Sequence, residues 1–368
     1  MDSITQAALG AAIGHTVLGH RVGRKALLWG AMLGTVPDLD TFYPYGDPVD
    51  AFTSHRGYSH SYFILALAAP CIAWIAVRLH GRAHWRHWLL LCLLCLLTHP
   101  LLDSFTVYGT QVGLPFTNYP VAWSTIFIID PLFTLPLLLG ITTALLWPRE
   151  SSPRWNPCAV GLGLSCAYLG ITLAAKAHLD QVARQAVHAL NASDTTNVRY
   201  MTTLAPFNVL LWRVVVMGPH HYWEGFYSVI ADRRLTLAQH PNGHALLNPV
   251  ASRAPAIPQL AWFSRGFYAA HERPDGTIRI QDLRMGFLGR YVFTFDVARR
   301  AGNDLVPLVP AEKGPPVRPT QALLSAVAKR IVSPDALDPH IEALRPLRLC
   351  TARREPTGNL PDIIDNCD

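Results

Sequence analysis

The chain has 368 residues, half of them hydrophobic and only 15% charged, and its net charge of +6 is modest for that length. Its basic residues sit at the ends of apolar runs or among acids, which excludes nucleic acid as a partner. Residues 4–176 hold 10 Lys/Arg and 7 Asp/Glu while residues 177–368 hold 21 and 17, so a membrane domain precedes a water-exposed one.

Ile4 to Gly19 is apolar and rich in Ala and Gly, and no basic stretch precedes it, so a cleavable leader is not expected. Gly10 and Gly14 are four apart, as are Gly30 and Gly34. That spacing lets membrane helices approach closely. After a basic turn (His20, Arg21, Arg24, Lys25), Ala26 to Val36 is apolar and ends at Pro37-Asp38-Leu39-Asp40. At 1.5 Å per residue these two runs reach about 24 Å and 17 Å, short of the roughly 30 Å of hydrocarbon. They read as tilted short helices or a re-entrant pair, with Asp38 and Asp40 below the usual membrane surface.

Residues 41–54 read as a polar, aromatic loop holding Asp47 and Asp50. His55-Arg56-Gly57-Tyr58-Ser59-His60-Ser61 then stands at the mouth of a full apolar span, Tyr62 to Leu79. A basic stretch follows: Arg78, His80, Arg82, His84, Arg86 and His87. Trp88 to Leu102 returns and closes on His99-Pro100-Leu101-Leu102-Asp103. After a loop over 104–124, Ile126 to Trp147 is a further span interrupted by Pro131 and Pro136. A basic turn at 149–154 leads to a last span, Ala159 to Ala175, which ends at Lys176. Beyond it, 177–200 reads as polar helix, and 209–217, 221–231, 277–285 and 290–297 as strands. Residues 302–319 read as Pro-rich linker, 320–331 as an amphipathic helix, and the end of the chain as a loose tail.

The predicted architecture is therefore an α-helical polytopic membrane domain, residues 1–176, of about five membrane segments, the first two short. A smaller α+β extracytoplasmic domain, 177–301, and the segment 302–368 follow. Arg21, Arg24, Lys25, Arg78, Arg82, Arg86, Arg149 and Arg154 fall in alternate loops, which the positive-inside rule puts in the cytoplasm. Asp38, Asp40, His55, His60, His99 and Asp103 fall on the opposite face, with everything after Lys176. Cys71, Cys92, Cys95, Cys158 and Cys166 lie in apolar runs and read as small buried hydrophobes. Cys350 and Cys367 could form a disulfide outside the cytoplasm.

Three apolar segments thus each carry His or Asp at one end. His99 and Asp103, four apart, share a helix face. Asp38 and Asp40 flank a turn, and His55 and His60 bracket a Gly-containing one. Taken singly, such residues are usually caps, turns or interfacial groups. Taken together at membrane depth, ionisable groups are costly and functional. Imidazole with carboxylate suits one or two divalent ions, zinc first, with manganese or iron as the alternatives. Asp38, His60, His99 and Asp103 are the expected ligands. Asp40 or His55 is a further ligand or the general base, and Arg56 clamps an anionic group or binds headgroups. Asp2, His15 and Asp130 are outlying candidates, and Asp130-Pro131 also suits a helix start.

Met1-Asp2-Ser3-Ile4-Thr5-Gln6, Pro37-Asp38-Leu39-Asp40, His55 to Ser61, Leu102-Asp103 with Tyr108-Gly109, and Ile129-Asp130-Pro131 give the first 140 or so residues a resemblance. The chain resembles the bacterial inner-membrane proteins classed as membrane-bound metal-dependent hydrolases, some of them LexA-regulated. The resemblance implies a polytopic protein with a metal-hydrolase site. Many members carry His where this chain has Gln6, and nearby His15 is the candidate replacement. Because the predicted site is sunk in the membrane, the expected function is hydrolysis of a lipid or lipid-linked ester or phosphoester at the outer face of the inner membrane. The competing reading is a structural metal with a partner-binding outer domain, and a transporter is less favoured. Membrane lipids are the expected partners, and the sequence sets no oligomeric state.

Overall fold

The computed structural model describes all residues except 81–84, 147–154, 192–197, 288, 317–320 and 335–368. Arg82, His84, Arg149, Arg154, the predicted tail and the Cys350–Cys367 pair lie outside the described residues. The chain divides into two compact units, Met1–His178 with Pro206–Val209, and Leu179–Ala205 with Leu210 onward.

The first unit is helical. Helices α1 (Ser3–Val22) and α2 (Lys25–Thr35) form a hairpin around the predicted glycines. A Cβ on Gly30 would lie 2.0 Å from the Gly10 carbonyl oxygen, and one on Gly14 2.1 Å from that of Ala26. Only glycine permits this backbone contact. A 3-10 turn, Val36–Phe42, carries Pro37-Asp38-Leu39-Asp40. The predicted loop over 41–54 is corrected in part: Pro48–Ser54 is helix α3, because the Asp47 carboxylate accepts the Val49 N–H at 2.6 Å and Pro48 opens the first turn.

Helices α4 (Tyr62–His80), α5 (Trp85–Ser104) and α7 (Pro157–Asn191) follow, with α6 (Pro131–Leu146) between the last two. Three stretches are long and apolar enough to cross a membrane: Tyr62–His80, Trp85–Ser104 and Pro157–His188. Within its most apolar window α5 is 56% buried, against 28% for α4 and 22% for α7, so α5 is the central helix and the others turn more surface outward. The predicted span 126–147 is helical only over the 16 residues of α6. Asp130 starts it by accepting the Leu132 and Phe133 N–H groups. The apolar run ending at Ala175 and the polar helix predicted after Lys176 form one continuous helix, α7, which stops at Asn191 and not at 200. Cys92, Cys95 and Cys158 are buried as expected, whereas Cys71 and Cys166 are exposed.

The second unit holds two antiparallel four-stranded sheets. One has the order β1 (Arg199–Leu204), β2 (Leu211–Met217), β3 (His221–Ser228), β4 (Ala238–Pro241). The other runs β10 (Asp304–Lys313), β9 (Thr294–Ala301), β6 (Thr277–Asp282), β5 (Tyr268–Glu272). A short pair, β7 (Gly286–Phe287) and β8 (Arg290–Tyr291), and helices α8 (Ala256–Phe263) and α9 (Gln321–Val332) complete it. The predicted linker at 302–319 is corrected, because residues 304–313 form β10. Its prolines, Pro307 and Pro310, sit on an edge strand with a register shift after Pro307, where a missing N–H breaks no central ladder. In this unit Arg213 is buried and its Nε donates to Glu224 Oε1 at 2.6 Å, so the charge is matched within the sheet.

Candidate metal centre

The three polar segments meet. The 3-10 turn after α2 brings Asp38, a second 3-10 turn (Tyr58–His60) ahead of α4 brings His60, and the last turn of α5 brings His99 and Asp103. One donor atom from each of the four lies within 4.8 Å of all the others, and the group could hold a metal ion. His60 Nε2 is 3.2 Å from His99 Nε2, 3.4 Å from Asp38 Oδ1 and 3.2 Å from Asp103 Oδ2. His99 Nε2 is 3.3 Å from Asp38 Oδ1 and 3.5 Å from Asp103 Oδ2. A tetrahedron of N and O donors with bonds of about 2.0–2.1 Å has edges of about 3.3–3.4 Å. The five separations fall around that value.

The hydrogen bonds behind the rings fix their tautomers. His99 Nδ1 faces the Gly34 carbonyl at 2.6 Å, so Nδ1 carries the proton. His60 Nδ1 faces Ser59 Oγ at 2.8 Å, and Ser59 donates its own hydrogen to Asp40 Oδ2 at 2.7 Å, so His60 Nδ1 is the donor there too. Both Nε2 atoms then present lone pairs. Two lone-pair nitrogens and two carboxylate oxygens converge with no hydrogen among them. Protonating both rings instead would set N–H against N–H at 3.2 Å. A cation could satisfy the arrangement, and the backing bonds are of the kind that orient metal-ligating histidines.

His60, His99 and Asp103 are fully buried, while the Asp38 side chain keeps 15% exposure and forms the open side of the group. The second oxygen of Asp103 meets the Met1 amine and, at 3.1 Å, Gln6 Nε2, which also donates to the His99 carbonyl at 3.2 Å. Gln6, at the position of the missing histidine, therefore braces both ligands of α5. Arg56 is buried, with Nε 3.2 Å from Asp103 Oδ2, Nη1 donating to Thr106 Oγ1 at 3.0 Å, and the guanidinium 4.8 Å from the centre of the Tyr108 ring. Its φ of 63° is a left-handed conformation unusual for a residue with a side chain. Its side chain is directed at Asp103, one of the expected ligands.

Asp40 and His55 lie outside the four-atom group and pair with each other, His55 Nδ1 to Asp40 Oδ1 at 3.0 Å. Asp40 Oδ2 also accepts the Arg56 N–H and the Ser59 hydroxyl. Burial pushes the Asp40 carboxyl up, but the bonds from His55 and Ser59 outweigh it and hold it below its ordinary value. The outlying candidates are not brought in. Asp2 caps α1 through Thr5, His15 sits 3.3 Å from Asn156 Oδ1, and Asp130 Oδ2 accepts the Tyr168 hydroxyl at 2.8 Å.

Sequence reasoning left out Ser59, Thr106 and the Gly34 carbonyl. Ser59 was findable from its place between two histidines, but a backbone carbonyl carries no sequence signal. Ser59→Ala is expected to weaken metal binding by about 10–100-fold, the range for lost outer-shell partners. Metal titration against a competing chelator, with circular dichroism to confirm the fold, checks it.

Residues 1–179 match the family described as YdjM inner membrane protein. That description names a location and no reaction. The chain is 26% identical over 323 residues to the uncharacterized protein YfhP of Bacillus subtilis (strain 168), covering 83% of this chain and 92% of that one. It is 34% identical over 112 residues to the inner membrane protein YbcI of Escherichia coli (strain K12), covering 30% of this chain and 64% of that one. No solved structure matches. The match to YdjM and the three apolar helices support an inner-membrane location.

Proposed function

We propose that the chain is a membrane-bound, metal-dependent hydrolase that cleaves a lipid or lipid-linked ester or phosphoester at the outer face of the inner membrane. The observation that carries the metal is the convergence of four acceptor atoms, five of whose six separations lie near the tetrahedral edge and all of which are within 4.8 Å. The donor set, two imidazoles and two carboxylates without thiolate, is that of a zinc, manganese or iron site and unlike the Cys-rich structural zinc sites. A divalent ion there would polarise a carbonyl or phosphoryl oxygen and acidify water. Asp38 and His60 bind from the turns, and His99 and Asp103 from α5. His55, held through Nδ1 by Asp40, offers its other ring nitrogen as the proton acceptor. Arg56 holds Asp103 in place and supplies positive charge beside the reacting group.

One observation favours a second reading. Four protein donors can close a tetrahedron, as structural sites do, and the ion would then tie the turns to α5. The experiment that separates the two is turnover with coordination. On the hydrolase reading, metal-loaded protein cleaves a lipid ester or phosphoester and a chelator stops it. His55→Ala is then expected to lose rate by about 10²–10⁴-fold, the usual contribution of a general base, while retaining its metal. A broad lipid screen without turnover, together with four protein ligands and no exchangeable position on the ion, would support the structural reading instead.

A further inference from the structure

Large apolar side chains that the fold does not bury flank the Asp38 and His60 turns along the chain. Leu39 is 56% exposed, Phe42 83%, Tyr43 65% and Tyr58 62%, all within five residues of Asp38 or His60. Phe63, 52% exposed at the start of α4, meets Phe116, 77% exposed, with ring centres 4.7 Å apart. Phe116 belongs to the connection between α5 and α6, where residues 105–129 contain no charged side chain at all. That connection nonetheless has paired backbone: Tyr62 N–H donates to the Val112 carbonyl, and Thr110 pairs with Val121. A charge-free, aromatic, internally bonded loop suits the headgroup level of a bilayer and is costly in water. These side chains are also continuous with the outward surface of α4, where Phe63 leads to Leu67, 77% exposed.

We propose that these side chains form a lipid-docking collar, which admits a lipid sideways from the bilayer to the Asp38 side of the metal group. This deepens the hydrolase reading and rests on it for the use made of the lipid. Charge narrows the headgroup. Between Asp38 and Phe63 the exposed or half-exposed charged side chains are all acidic, namely Asp38, Asp40, Asp47 and Asp50, and Arg56 is buried against Asp103. The collar therefore fits a zwitterionic lipid, whose ammonium meets carboxylates, and not an anionic one.

The test uses the full chain in vesicles. Photo-reactive p-benzoylphenylalanine replaces Phe42, Tyr58 or Phe116 one at a time, and Val309, 63% exposed in β10, serves as the control. In phosphatidylethanolamine vesicles, illumination is expected to give phospholipid adducts at the three collar positions, at least tenfold above those at the control. Adding phosphatidylglycerol is expected to leave the yield unchanged or lower it. Adducts no more frequent than at Val309 would overturn the collar, as would crosslinks to protein alone, and a rise with phosphatidylglycerol would overturn the zwitterionic assignment. Adducts in a protein without chelator-sensitive turnover would sink the hydrolase reading and leave the collar standing. Turnover without adducts would sink the collar alone.

Discussion

Purified protein with alanine at His99 or at Asp103 is expected to lose its bound metal, where the unaltered chain retains it through purification. Each residue supplies one of four donor atoms that lie within 4.8 Å of one another, so removing either takes away a direct ligand of the proposed ion. The loss should exceed the 10–100-fold or so expected for Ser59→Ala, because a direct ligand is removed and not its support. The two variants should differ in stability. Asp103→Ala leaves the Arg56 guanidinium and the Met1 amine without their shared carboxylate in a buried place, a change that costs about 3–5 kcal/mol when a buried pair is broken. His99→Ala leaves the Gly34 carbonyl without its donor, which costs about 1–3 kcal/mol. Elemental analysis beside thermal unfolding reads both effects. Full metal occupancy in both variants would show that the four atoms do not share an ion.

The four candidate ligands were legible in the sequence because each sits at an end of an apolar run, where a charge at membrane depth needs a reason. The i, i+4 spacing of His99 and Asp103 gave their common face directly. What surrounds them was less legible. Asp40 looks equivalent to Asp38 on paper, two residues away in the same motif. The 3-10 turn sends Asp38 to the donor group and Asp40 to His55, Ser59 and the Arg56 N–H. Arg56 reads as an anion clamp or a headgroup binder, and the structure buries it against Asp103 on a left-handed backbone. In the second unit, β10 was read as linker because Pro307 and Pro310 dominate its composition. The edge position that tolerates them is a property of the sheet and not of the segment. Likewise β1, β4 and β5 are short and take their strand character from their neighbours' ladders.

Reporter fusions at residues 83 and 300 are expected to score on opposite sides of the membrane, and the helix ends explain why. His60 precedes α4 and Asp103 closes α5, so the donor group lies at one end of this helix pair and residues 81–84 join its other end. By the positive-inside rule the flanking basic side chains, Arg78 and Arg86 among them, are expected in the cytoplasm, and the donor group is then expected at the outer face. Whether residue 300 follows the donor group depends on α6. Its 16 residues reach about 24 Å, less than the roughly 30 Å of hydrocarbon, so crossing requires the bilayer to thin or the flanking residues to snorkel. If α6 crosses, α7 returns the chain to the side of the metal group and a periplasmic-type reporter at 300 is active. If α6 only enters and leaves, α7 carries the chain to the cytoplasm and both fusions score there. The first outcome is the expected one, because the basic turn at 149–154 has the composition of a cytoplasmic loop. The second would overturn the extracytoplasmic placement expected for residues 177–301.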